Sequence, residues 1–165
     1  MNVYLLDTSA VLTHVYGEPG HVQVQALFED QEATILLAAP SLLEMETALK
    51  GRMADVLRRR AVVDLYGGRL AEVVPVDRAA VMEAIALKNA SAKRLPTMDA
   101  LIAGCAVARG ATFVHRDPHF DAVSAPRLQV LRLTDTPEPP ASADVPPVVR
   151  EKGKPYKVSQ RRTRS

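Results

Sequence analysis

Short apolar runs alternate along the chain with longer stretches in which apolar residues return every three or four positions. NVYLL (2–6), ATILLAA (33–39), LAEVVPV (70–76), ATFVH (111–115) and LQVLRL (128–133) have the length and composition of buried strands. Between them the spacing predicts helices over Thr8–Tyr16, closed by Gly17-Glu18-Pro19-Gly20, and over His21–Phe28. A third runs from Pro40 to about Lys50, since proline suits a first helical turn. Further helices are expected over Met53–Tyr66, stopped by Gly67-Gly68, over Arg78–Asn89, and over Thr97–Ala108, closed by Arg109-Gly110. Strands that alternate with helices predict an α/β fold around a central, mostly parallel sheet. In such sheets, functional groups collect at the carboxyl ends of the strands, where the strand order reverses.

The pattern stops after Thr134. PEPPASADVPP and the basic stretch behind it carry neither rhythm, so residues 136–165 are expected to be a disordered tail on a domain of residues 1–135. Charge divides at the same point. Residues 1–135 hold 14 Lys/Arg against 16 Asp/Glu, whereas 136–165 hold 7 against 3, so the basic character lies in the tail. With 47% hydrophobic residues the chain can bury a full core. It has no Trp and few other aromatics, so a base-stacking platform should not dominate any nucleic-acid contact. The single cysteine, Cys105, excludes an intrachain disulfide and reads as a core thiol. The N-terminus lacks a basic segment before its apolar run, and no apolar stretch is long enough to cross a bilayer. Both point to a cytoplasmic protein with no membrane role.

Four carboxylates stand at comparable places in this pattern. Asp7 ends the first strand, Glu44 lies in the first turns of SLLEMETAL, Asp99 opens the helix in LPTMDALIAG, and Asp117 follows the strand in FVHRDPHF. Singly, each has a structural use: Asp7 as a helix cap, Asp99 against a helix dipole, Asp117 in an Asx turn. Together, a parallel sheet brings Asp7, Asp99 and Asp117 to one edge, which Glu44, one turn into its helix, could also reach. Two carboxylates ~4 Å apart repel by about 4 kcal/mol at an effective dielectric near 20, so such a cluster calls for a cation or for protonation. An all-oxygen acidic site suits Mg²⁺ or Mn²⁺, and the chemistry it suggests is phosphodiester hydrolysis. Helix periodicity does not choose between Glu44 and Glu46, and Asp121 stands beside Asp117 as a second candidate farther from the strand end.

DTSAVL after an N-terminal strand, then SLLEMETAL, then TMDALIAGCA with GATFVHRDPHF, resemble in order and spacing the PIN domain, specifically VapC-type toxins of bacterial toxin–antitoxin modules. The resemblance covers residues 2–133. It implies a Rossmann-like α/β/α fold and a metal-dependent ribonuclease. Asp7, Glu44, Asp99 and Asp117 would be its metal-site carboxylates, with Thr8 or Ser9 in support. It also implies a homodimer and inhibition by a small cognate antitoxin. Because SLLE matches the family spacing, it favours Glu44 over Glu46.

Other groups have weaker patterns. Lys93, Arg94 and Arg116 flank the acidic positions and could bind phosphates of an RNA backbone. Arg58-Arg59-Arg60 reads as a solvated helix face or as a dock for an acidic antitoxin segment, and the tail lysines and arginines as solubilising or as added RNA affinity. His115 and His119 flank Asp117, but no Cys or HExxH pattern supports zinc, so surface or packing roles are expected. DTSA lacks the second acid of a DxDxT acyl-phosphate site. A noncatalytic nucleic-acid or partner-binding module, or a DNA-directed nuclease, is the alternative outcome on the same fold.

Overall fold

A computed structural model describes residues 2–123 and 126–134; the expected tail, 136–165, and the side chain of Asp121 lie outside the described residues. The elements follow in the order β1 (Asn2–Leu6), α1 (Thr8–Tyr16), α2 (His21–Glu29), β2 (Ala33–Ala38), α3 (Ala39–Lys50), α4 (Val56–Arg69), β3 (Glu72–Val74), α5 (Arg78–Ala90), α6 (Thr97–Ala108), β4 (Thr112–His115) and β5 (Val130–Arg132). The strands form one five-stranded sheet in the order β3-β2-β1-β4-β5. Every pairing is parallel. The chain works outward from β1 through β2 to β3, then crosses to the other side of β1 for β4 and β5. The reversal lies between β1 and β4.

Strand residues alternate between two cores. Leu5, Leu36 and Phe113 face one side, where α5 and α6 close over them with Ala80, Ala84, Ile102 and Cys105. Leu6, Leu37 and Val114 face the other, covered by α1–α4 through Val11, Val24, Met45 and Val62. Both sheet faces are therefore buried, which explains why the strands read as continuous apolar runs rather than alternating ones. This is the α/β/α sandwich expected from the sequence, and Cys105 is the core thiol, its pKa pushed up to about 11 by burial. No helix among the described residues is long and apolar enough to cross a membrane.

Several boundaries differ from the sequence expectation, each for a local reason. Helix α4 starts at Val56 rather than Met53, because the Asp55 carboxylate caps the amides of Leu57 and Arg58. It also runs through Gly67-Gly68 to Arg69 instead of stopping at Tyr66. Neither glycine takes a positive φ, and Tyr66 is anchored to α1 by His14 Nδ1 2.5 Å from its hydroxyl. His14 Nε2 faces the Gln25 Oε1 acceptor at 2.8 Å, so Nε2 carries the proton and Nδ1 accepts from tyrosine. Strand β3 is shorter than 70–76, since Pro75 has no amide to donate to the ladder.

The arginine run at 58–60 is not a uniformly solvated face. Arg58 and Arg60 are exposed, but Arg59 is 5% exposed and sits on the Val62 and Tyr66 side of α4. Its Nε donates to Glu46 Oε1 at 2.8 Å, and Nη1 donates to the carbonyls of Met53 and Ala54 at 2.7 and 2.9 Å. Arg59→Ala should therefore cost about 2–4 kcal/mol, by orphaning the buried Met53 carbonyl, removing the part-buried bond to the Ala54 carbonyl and emptying a packed site. Arg58→Ala and Arg60→Ala should stay within about 0.5 kcal/mol. Denaturant midpoints of the three variants check this; equal midpoints would return the whole run to solvent.

Candidate active site at the carboxyl edge of the sheet

Asp7 leaves β1 at the reversal point, its amide bonded to the Val114 carbonyl of β4 at 2.8 Å. It caps α1, with Oδ2 accepting from the Ser9 amide at 3.0 Å and from the Ser9 hydroxyl at 2.5 Å. The Ser9 hydroxyl in turn accepts from the Arg116 amide at 3.0 Å. One serine thus ties the end of β1 to the loop after β4. The structural use of Asp7 and a site role are compatible: one carboxylate oxygen serves the cap.

Glu44 lies on α3, and its Oε2 accepts from the Thr8 hydroxyl at 2.6 Å. Glu46, two residues on, points to Arg59. The alternative that helix periodicity left open is thereby separated in space. Asp99, in the first turn of α6, and Asp117, which caps the short 3-10 turn Pro118–Ala122, complete the edge. His115 holds the Asp117 backbone from below. Its Nδ1 lies 2.9 Å from the Asp117 carbonyl, an acceptor only, so that nitrogen carries the proton, and its ring packs against Phe113 and Phe120.

Two of the four carboxylates, Asp7 and Asp99, register the others. Asp7 is 6% exposed, and burial pushes its pKa up to about 6 against the Ser9 hydrogen bonds, with Glu44 and Asp99 adding to the rise. Burial, Asp117 and Glu44 likewise raise Asp99, while His119 pulls it down. Asp99, Asp117 and His119 each offer a ligand atom within 4.8 Å of the others. His119 Nδ1 is 2.9 Å from Asp117 Oδ1 and 4.0 Å from Asp99 Oδ2.

His119 is the member that sequence reading placed elsewhere, as a surface or packing histidine. At 60% exposed it is on the surface, yet its ring turns onto the acidic cluster. Its signal was faint: a residue in a 3-10 turn behind Pro118 has no periodicity to show where it points. Of the basic candidates, Arg116 lies beside the cluster, with its guanidinium on Glu18 at 3.0 Å. Lys93 and Arg94 stand exposed on the loop before α6, and among the described residues neither bonds to the carboxylates.

Comparison with known proteins agrees with this architecture. The PIN-domain family model matches residues 4–126. A solved structure of VapBC2 from Rickettsia felis, bound to a DNA fragment from its promoter, superposes with a TM-score of 0.65 at 19% identity, covering 80% of this chain and 99% of that one. DNA-bound VapBC from Salmonella typhimurium gives 0.64 at 21% identity, covering 81% and 100%. FitAcB from Neisseria gonorrhoeae gives 0.60 at 18% identity, covering 79% and 96%. No curated protein matches the sequence significantly. On the family match, and with the fold to accompany it, the chain belongs to the PIN-domain family of nucleases.

Proposed function

We propose that this protein is a divalent-cation-dependent endoribonuclease that hydrolyses RNA phosphodiester bonds, acting as the toxin of a type II toxin–antitoxin pair. The observation that carries the reading is the convergence of Asp7, Glu44, Asp99 and Asp117, from four separate elements, at the sheet reversal, where burial and the neighbouring carboxylates push the carboxyls of Asp7 and Asp99 up. A buried carboxylate held ionised beside two others is uncompensated by protein charge, and a hard cation is the group that fits such a donor set.

Asp7, Asp99 and Asp117, with Glu44, would hold Mg²⁺ or Mn²⁺. When bound, such an ion neutralises charge developing on the phosphoryl group and makes a water a stronger nucleophile. The chain's own part is orientation. The Thr8 hydroxyl fixes one oxygen of Glu44, and Ser9 fixes one oxygen of Asp7, so these carboxylates need not reorganise as charge develops. Lys93, Arg94 and Arg116 would offset the repulsion between the acidic edge and the RNA backbone. The structural likeness to VapBC and FitAB complexes supports a cognate antitoxin as partner. Val81, Met82 and Ile85, exposed together on α5, support a homodimer. The cytoplasm, where RNA and antitoxin meet, is the matching compartment.

The test has two readings from one sample. Added Mn²⁺ or Mg²⁺ at about 100 times its Kd should raise the melting temperature by roughly 5–10 °C, from ~2.7 kcal/mol of linkage. The same ions should switch on cleavage of single-stranded RNA. RNA binding with neither response would make the protein a noncatalytic module. Cleavage confined to DNA would make it a DNA-directed nuclease.

A further inference from the structure

Beside the acidic edge, and continuous with it through Asp117 and His119, an open cleft of about 500 Å³ runs along α1. Its floor is Leu12, Thr13 and Tyr16, and its rim carries Arg52 and Arg116. Glu18, in the turn after α1, holds both arginines: Oε1 takes Arg52 Nη1 at 3.2 Å and Oε2 takes Arg116 Nη1 at 3.0 Å. Glu18 thus sets two guanidinium groups side by side at the rim, next to an acidic centre. The Arg52 guanidinium lies 4.2 Å over the Tyr16 ring, and its side chain is 60% exposed, so a planar, cation-capped face looks outward. The Tyr16 hydroxyl has no hydrogen-bond partner among the described residues.

We propose that this cleft is a nucleotide subsite for the RNA strand flanking the cut, in which Arg116 takes a backbone phosphate and the Arg52 guanidinium, stacked on Tyr16, takes the face of a base. The inference rests on the ribonuclease reading and adds to it where the strand lies. An occupant must suit a fixed cation and a flat stacking surface while also approaching the carboxylates. A single strand offers all of these: phosphates for Arg116, base faces for a guanidinium plane, and a backbone long enough to continue over the acidic edge. An acidic peptide offers charge to Arg116 but no base face to Arg52. A sequence with almost no aromatics thus still builds one stacking place, from one tyrosine and one arginine.

Initial rates on a fluorescent single-stranded RNA with Mn²⁺, using the full chain, separate the possibilities. Arg116→Gln should raise KM about tenfold with kcat within about threefold, and should lower the salt dependence of log KM by about one contact's worth. Arg116→Lys should recover most of that loss, because a phosphate needs only charge. Arg52→Ala should raise KM several-fold, and Arg52→Lys should not recover it, because an ammonium has no plane to stack. Arg58→Ala, exposed on α4, should leave both constants unchanged. Unchanged KM in the Arg52 and Arg116 variants, with cleavage intact, overturns the subsite and leaves the nuclease in place. Lower melting temperature and kcat with KM unchanged makes the arginines structural, and also overturns it. No RNA cleavage by the wild type overturns both readings together.

Discussion

Asp7→Asn should lower RNA cleavage by at least ~100-fold, on the order of 3 kcal/mol of transition-state stabilisation, while making the metal-free protein more stable. The two effects have one cause. Asp7 is ionised at neutral pH in a site that disfavours its charge, with a folded pKa of about 6 against the ordinary 3.8. A raised carboxyl binds its proton more tightly in the folded state. Its cost is therefore fully present above about pH 6 and vanishes below about 3.8. Near pH 7 that cost is on the order of 3 kcal/mol at most, so Asn, which still caps α1, should raise the metal-free melting temperature by about 3–8 °C. Its advantage over wild type should shrink as pH falls from 7 towards 4. Added Mn²⁺ should reverse the ranking, stabilising wild type more than the variant. Differential scanning fluorimetry across pH, beside an RNA cleavage assay, reads all of this. A variant that loses both activity and metal-free stability would show Asp7 to be a structural cap whose removal merely unfolds the edge.

Gly104→Ala has the opposite sign to the usual glycine-to-alanine change in a helix. Alanine normally gains about 1 kcal/mol at an interior helical position. Here a Cβ at position 104 would meet the Ala80 carbonyl oxygen at 2.4 Å and the Ala84 amide nitrogen at 2.9 Å. Both are backbone atoms of α5, so no side chain can swing aside and the helices must part. The expected loss is about 2–4 kcal/mol, read as a lower urea midpoint, and Gly104→Val should lose more. Asp99 sits on the same helix, five residues before Gly104, so a displaced α6 should also weaken the Mn²⁺-induced rise in melting temperature. A stabilised Gly104→Ala would mean that α5 and α6 yield to one another at little cost.

What could be read from the sequence follows from which residues repeat and which depend on a partner. The placement of Asp7, Glu44, Asp99 and Asp117 was legible because parallel βα units deliver strand ends and helix starts to one side. Their relation to one edge needed only the alternation of elements. Arg59 looked like its neighbours because a run of identical charges conceals helical phase, although its spacing to Val62 and Tyr66 carried the information. The passage of α4 through Gly67-Gly68 was hidden for another reason: its last turn is held by His14, more than fifty positions earlier in the chain. Glu18 holding two arginines was hidden in the same way, since its partners come from the end of α3 and the loop after β4.

The sheet order has a consequence for the chain as it is made. Strand β1 leaves the ribosome first, yet one of its two sheet neighbours, β4, begins at Thr112. When synthesis has passed β3, Asp7 and Glu44 exist but Asp99 and Asp117 do not, and the edge beside β1 is still open. The acidic centre comes into being only when α6 and β4 have emerged and β4 has docked against β1. A nascent chain therefore carries no more than half of its charge cluster until residue 99 is added, and the last third of the domain completes it. Such an order of events keeps the four carboxylates from assembling until the domain is nearly complete.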